Sequence, residues 1–149
     1  MSASVLALVG SISVGTMALA DDSAPRPWQG ALDLRRAVTI KSDHVAVNRG
    51  ELTAAGVDSE VFTPPRRTKG SSPSYPDAAA RDGAQGTVLL ECVIDESGAV
   101  EACRVGHSVH PAVDRAAMDA IRRWRYEPAR VADRPRSIVA QFVMIFRLQ

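Results

Sequence analysis

Aromatic side chains are scarce in this sequence, 5% of its 149 residues, so a core has to be assembled mainly from Val, Ile, Leu, Ala and Met. An excess of charge is missing too: the net charge is +1, which gives no electrostatic case for nucleic acid or an anionic membrane as partner. Cysteine is limited to Cys92 and Cys103, whose spacing is not CxxC, and two cysteines alone do not make a zinc site. There is no glycine-rich phosphate loop and no paired-carboxylate arrangement. His107, Ser108 and Asp114 are the residue types of a hydrolytic triad, yet they crowd one loop and helix start with no orienting pattern. His107 and His110 lack a third metal ligand, and Cys92 falls mid-strand on a core face, where thiols are inert. These absences argue against an enzyme and against a metal or cofactor.

A membrane-length apolar run is also lacking. Val5 to Ala20 carries no charge, but it is short against the roughly 20 residues that a spanning helix needs. Ala18-Leu19-Ala20 supplies the small residues of an A-x-A cleavage site, so residues 1–20 read as an export signal. Retained instead of cleaved, the same run would be a short inner-membrane anchor. Export would place the mature chain in the periplasm, an oxidising compartment where paired cysteines persist.

What is present divides into three stretches. Residues 21–62 are poorly defined. Within them Ser23–Gly30 reads as a polar leader, Val38-Thr39-Ile40 and Val45-Ala46-Val47 as the arms of a small hairpin, and Leu52–Val57 as a helical turn. Residues 63–74 (TPPRRTKGSSPS) read as a solvated linker, because adjacent prolines, a basic cluster and Gly/Ser oppose regular structure. The domain boundary is expected there.

Residues 75–149 are regular. Tyr75-Pro76 opens a short helix through Ala78-Ala79-Ala80 that Gly83 ends. After Gly86, the residues Val88, Leu90, Cys92 and Ile94 alternate onto one face, and Asp95-Glu96-Ser97-Gly98 turns the strand back through Val100 to Val105. The step from Val100 to Cys103 breaks alternation, and a β-bulge near Glu101-Ala102 would restore it. Cys103 then comes opposite Cys92, as a cross-strand disulfide or as two packed thiols; export favours the disulfide. A longer helix starts at Pro111, with an apolar stripe of Val113, Ala117, Ile121 and Trp124, and is expected to stop before Pro128.

Residues 138–148 (IVAQFVMIFRL) are too apolar for a loop. Ile138, Ala140, Phe142, Met144, Phe146 and Leu148 fall on one face, and Val139, Val143 and Ile145 on the other. The second face is more apolar than a solvated sheet face should be, so a partner or residues 31–62 should cover it. As the last strand it presents a free edge, a template for another strand.

In this order, Tyr75-Pro76, Ala79 or Ala80, Gly83, Gly86-Thr87-Val88, Ile94-Asp95, Gly98, Val100, His110-Pro111, Val113-Asp114, Ala116-Ala117, Trp124-Arg125-Tyr126-Glu127-Pro128-Ala129 and Phe146 resemble the TonB C-terminal domain family. The resemblance covers half the chain. It implies an α+β fold in which two helices pack on a three-stranded antiparallel sheet, in the order α-β-β-α-β. It makes Tyr75, Pro76, Gly83, Gly86, Gly98, Trp124, Tyr126 and Pro128 structural residues of the motif. Family members bind a short extended segment of an outer-membrane transporter at the sheet edge beside the final strand, a case of β-augmentation. Carried over, the partner-binding edge is Ser137, Ile138, Val139, Ala140, Gln141, Phe142, Val143 and Ile145.

A TonB energy transducer also uses an inner-membrane helix to engage an ExbB/ExbD-like motor, and a long Pro-rich stretch to cross the periplasm. Here Val5–Ala20 is short, and residues 63–74 extended at about 3.1 Å per residue reach only about 40 Å. Both argue against energy transduction by this chain alone. The expected function is therefore a periplasmic protein-binding domain that takes a segment of a transporter or another envelope protein. The alternative is an accessory envelope module that self-associates, as a homodimer for example, or binds cell wall.

Overall fold

The computed structural model describes residues 28–41 and 44–149; the export signal expected at residues 1–20 lies outside them. Residues 75–148 give the elements α2 (Asp77–Arg81), β6 (Gly86–Ile94), β7 (Val100–His107), α3 (Pro111–Ile121) and β11 (Ile138–Phe146). Strand β6 lies between β7 and β11, antiparallel to both. Its alternating Val88, Leu90, Cys92 and Ile94 meet the inward residues of β11 and the stripe Val113, Ala117 and Ile121 of α3 in one core. Helix α3 begins at Pro111, where the missing N–H costs nothing, and His110 Nδ1 accepts the N–H of Ala112 as a cap.

The hairpin turn forms as its residues dictate. Asp95 Oδ1 accepts the N–H groups of Ser97 and Ala99 at 2.8 and 3.0 Å, and Gly98 takes φ +86°. A Cβ at Gly98 would lie 1.7 Å from the Tyr126 carbonyl oxygen, so the close approach requires glycine twice over. On β7 the register shifts between the pairs Glu91/Arg104 and Val93/Glu101, with Ala102 at φ +45°: the expected bulge. Beyond it Cys103 is bonded to Cys92, with Cα atoms 4.1 Å apart.

Outside this unit the arrangement departs from expectation. The antiparallel trio is extended into a six-stranded mixed sheet by β1 (Leu32–Asp33), β2 (Val38–Lys41) and β3 (His44–Val47), in the order β3-β2-β11-β6-β7 with β1 also on β11. The expected hairpin is β2–β3, followed by α1 (Arg49–Ala54), whose cap Asn48 accepts from Gly50 and Glu51. Leu34, Val38, Ile40, Leu52 and Val57 are buried in the same core as the C-terminal elements, so the hairpin and α1 are part of that core.

Two expectations are corrected. Residues 63–74 are not a solvated linker throughout: β4 (Phe62–Thr63) pairs with β9 (Arg130–Val131), and β5 (Arg66–Lys69) pairs with β8 (Arg125–Glu127). The arginines that looked solvent-bound have partners that only long-range register supplies. The final strand is not a free edge either, because β1 and β2 run parallel along its outer side. An open row of backbone groups beside a doubly apolar strand is a poor end state, and the β-prone Val38-Thr39-Ile40 fills it. Helix α3 stops before Pro128 as expected, at Ile121 and so short of Trp124, and Tyr126 lies in a strand; Arg130–Val131 turns through Ala132 and Asp133 into β10 (Arg134–Pro135).

Candidate functional site, the outer side of the final strand

The backbone of β11 faces β6 at Ile138, Ala140, Phe142, Met144 and Phe146, and faces outward at the residues between. Those outward groups are used. Leu32 N–H donates to Ser137 O at 2.9 Å and Leu34 N–H to Val139 O at 3.0 Å. After a turn at residues 35–37, β2 resumes beside Gln141, Phe142 and Val143, opposite Thr39, Ile40 and Lys41. Parallel pairing of this kind holds a strand by main-chain bonds that any sequence can make. Side chains then decide which strand fits: Val38 and Ile40 are 0% and 1% exposed on the helix side of the sheet.

Two tryptophans fasten this arrangement from opposite directions. Trp28, read as part of a polar leader, packs on Val93 and Val139 across the second face of the sheet, the face expected to need a cover. Its Nε1–H donates to the carbonyl of the bulge residue Ala102 at 2.6 Å. The guanidinium groups of Arg35 and Arg104 lie 5.3 and 4.3 Å from its ring centroid, and both reach Glu91 Oε2, at 3.2 and 2.7 Å. Arg35 also binds Asp33 at 2.5 Å, and this guanidinium holds the Asp33 carboxyl below its ordinary value. A tryptophan within a polar, Pro-containing stretch was the available signal that this side chain is docked.

Trp124, the family-motif residue, is wrapped by the supposed linker. Its Nε1–H donates to Ser71 O at 2.8 Å, and Arg67 stacks 4.7 Å from the ring. Gly70 passes so close that a Cβ there would sit 2.3 Å from Trp124 Cδ1. Alongside, Arg66 grips Glu127 with both Nε and Nη2, at 3.1 and 2.5 Å. Tyr126 stands edge-on to Phe142 with centroids 6.1 Å apart; its hydroxyl is buried without a partner among the described residues, and burial raises its pKa.

Of the expected edge residues, Ile138, Val139, Ala140 and Phe142 are at most 1% exposed, and Ser137, Gln141 and Val143 are half-buried. Ile145 alone stands out, 59% exposed, beyond the last residue of β11 that β2 opposes. Near it Met144, Phe146 and Arg147 border a shallow cleft with Pro73, Tyr75 and Trp124. Tyr75 closes that end, with its ring edge-on to Phe146 and its hydroxyl donating to Ala84 O. Of the residues weighed for catalysis, Ser108 bonds Asp114; His110, weighed as a metal ligand, caps α3 and meets Asp82 at 2.9 Å. Among the described residues no helix is long and apolar enough to cross a membrane.

The family model for the Gram-negative bacterial TonB protein C-terminal matches residues 71–148. Protein TonB of Xanthomonas campestris pv. campestris (strain B100) is 43% identical over 60 residues, covering 40% of this chain and 27% of that protein. Protein tonB2 of Pseudomonas aeruginosa (strain PAO1) is 39% identical over 64 residues, covering 42% and 24%. This chain thus spans about a quarter of the length of these curated relatives. The solution NMR structure of the Pseudomonas aeruginosa TonB CTD is similar at 23% identity and a TM-score of 0.48, over 58% of this chain and 89% of that one.

Proposed function

Because the chain belongs to the TonB C-terminal family, a non-enzymatic one, we propose that it is a periplasmic protein-binding domain serving TonB-dependent transport. Its partner is an extended segment of an outer-membrane transporter or another envelope protein, taken up by strand addition along Ser137–Val143 and Ile145. One observation carries this reading: the outer side of β11 is a working strand acceptor, since it holds β1 and β2 in parallel through backbone bonds. The Cys92–Cys103 disulfide suits an oxidising compartment. Titrating the isotope-labelled chain with TonB-box-like peptides tests the reading by amide shifts. Shifts concentrated on residues 137–145 support it; a full titration without them refutes it.

A second reading, self-association as an accessory envelope module, draws on β3, which ends the sheet with no strand beyond it among the described residues. Sedimentation separates the two: a concentration-dependent dimer favours the second.

A further inference from the structure

We infer that residues 32–41 are an intramolecular occupant of the acceptor edge, a strand that a partner's segment has to displace before it can pair with β11. The inference rests on the strand-addition reading and adds to it a control step and a requirement on the ligand.

The stereochemistry leaves no room for both strands. Leu32 and Leu34 already donate to the carbonyl oxygens of Ser137 and Val139, and β2 already lies against Gln141–Val143. A carbonyl so placed offers one in-plane position toward the outer side, and a second strand at the same 4.7–4.9 Å spacing would coincide with the first. Docking of β1–β2 and binding of a partner at residues 137–143 are therefore mutually exclusive.

Loss of the occupant also spares the rest of the sheet. Strand β11 keeps its full ladder with β6, from Ile138↔Ile94 to Phe146↔Gly86, whereas β2 opposes only three β11 residues and β1 only Ile138 and Val139. What holds the occupant is its buried Leu34, Val38 and Ile40, together with the Trp28 clamp. Tethering makes it a competitor at high effective concentration. The partner's apparent affinity then falls by the fraction of molecules in which the edge is open. The replacement must satisfy the same geometry: it runs parallel to β11 and puts aliphatic residues at alternate positions, where Val38 and Ile40 now sit. A polar segment would leave a cavity over Phe142 and Ala140.

Binding of two fluorescent peptides to the full chain tests this, one TonB-box-like and one with the chain's own sequence 32–41. Trp28→Ala, which removes the clamp without touching the main core, is expected to tighten binding about tenfold or more. Closing a disulfide between Thr39→Cys and Gln141→Cys, residues opposite each other in register, is expected to abolish it, while Thr39→Cys alone, a change on the occupant strand, retains it. Equal affinity in all four proteins overturns the inference. Hydrogen exchange of the peptide-free chain keeps its failure apart from that of the strand-addition reading. If the amides of Gln141 and Val143 exchange only as slowly as those of β6, the occupant does not leave, and the inference fails even where peptide binds. If they exchange faster, in step with Val38–Lys41 and faster again in Trp28→Ala, yet no protein binds either peptide, the occupant stands and strand addition of such segments is refuted.

Discussion

Residues 75–148 and residues 28–70 bury comparable aliphatic side chains in one core, yet they are held in different ways. The first region closes on itself through short connections: a tight turn at Asp95–Gly98, a capped helix, and a long antiparallel ladder. The second has few contacts of its own apart from the β2–β3 hairpin and α1. Every other strand pairing it makes reaches the far end of the chain, β1 and β2 on β11, β4 on β9, β5 on β8. The C-terminal region is thus a scaffold, and the N-terminal region a wrap whose shape is imposed by the surface it covers. Its fastenings are local and separable: Trp28 at one end, the strap over Trp124 at the other.

Core deletions test this division most strongly. Phe142→Ala, at the centre of β11, should cost about 3–5 kcal/mol of global stability in urea unfolding. Ile40→Ala, equally buried in the wrap, should fall near the lower end of the range for such truncations, about 2–3 kcal/mol, because the strand can lift rather than enclose a void. Exchange should then accelerate more at residues 32–47 than in β6; equal acceleration would merge the two regions into one.

Glycine substitutions come next. Gly98→Ala strains a positive φ and drives a Cβ into the Tyr126 carbonyl, a rigid neighbour, for an expected loss of about 1–3 kcal/mol. Gly70→Ala meets the Trp124 ring instead, and the strap can move away; a smaller loss, about 1 kcal/mol, is expected in the same assay, with Trp124 fluorescence altered.

Acid should loosen the wrap selectively. The Asp33 carboxyl is held below its ordinary value of 3.8, chiefly by the Arg35 hydrogen bond. Its contribution is therefore complete above that value and disappears as pH falls through the lower, folded value. Amides of residues 32–34 should lose protection, relative to β6 amides, only as pH falls below 3.8, after correction for intrinsic rates. The smallest effect belongs to Arg66→Gln: its ion pair with Glu127 is fully exposed, and no measurable change in melting midpoint is expected.

The same contrast explains what could be read from the amino acids. Alternation at Val88–Ile94, the Gly98 turn, the bulge that brings Cys103 to Cys92 and the stripe Val113, Ala117 and Ile121 are all short-range patterns, and each is present in the structure. The wrap is written in partners instead. Arg66 and Arg67 carry no sign of pairing with Glu127 and Tyr126, and Trp28 carries none of lying over Val139. The β2–β3 hairpin was legible as a hairpin, but not its place on β11. The apolar second face of β11 did announce a cover, but the side chain that packs over Val139 is Trp28, outside residues 31–62, and Ile145 on the same face stays exposed.

Interstrand nuclear Overhauser contacts in the full-length oxidised chain test the central claim most directly. Cross-peaks between the backbone protons of Thr39–Lys41 and those of Gln141–Val143 are expected, with the parallel register Ile40 opposite Phe142. Their absence, with rapid exchange of the outward amides of β11, would contradict the account and restore a final strand whose edge is open.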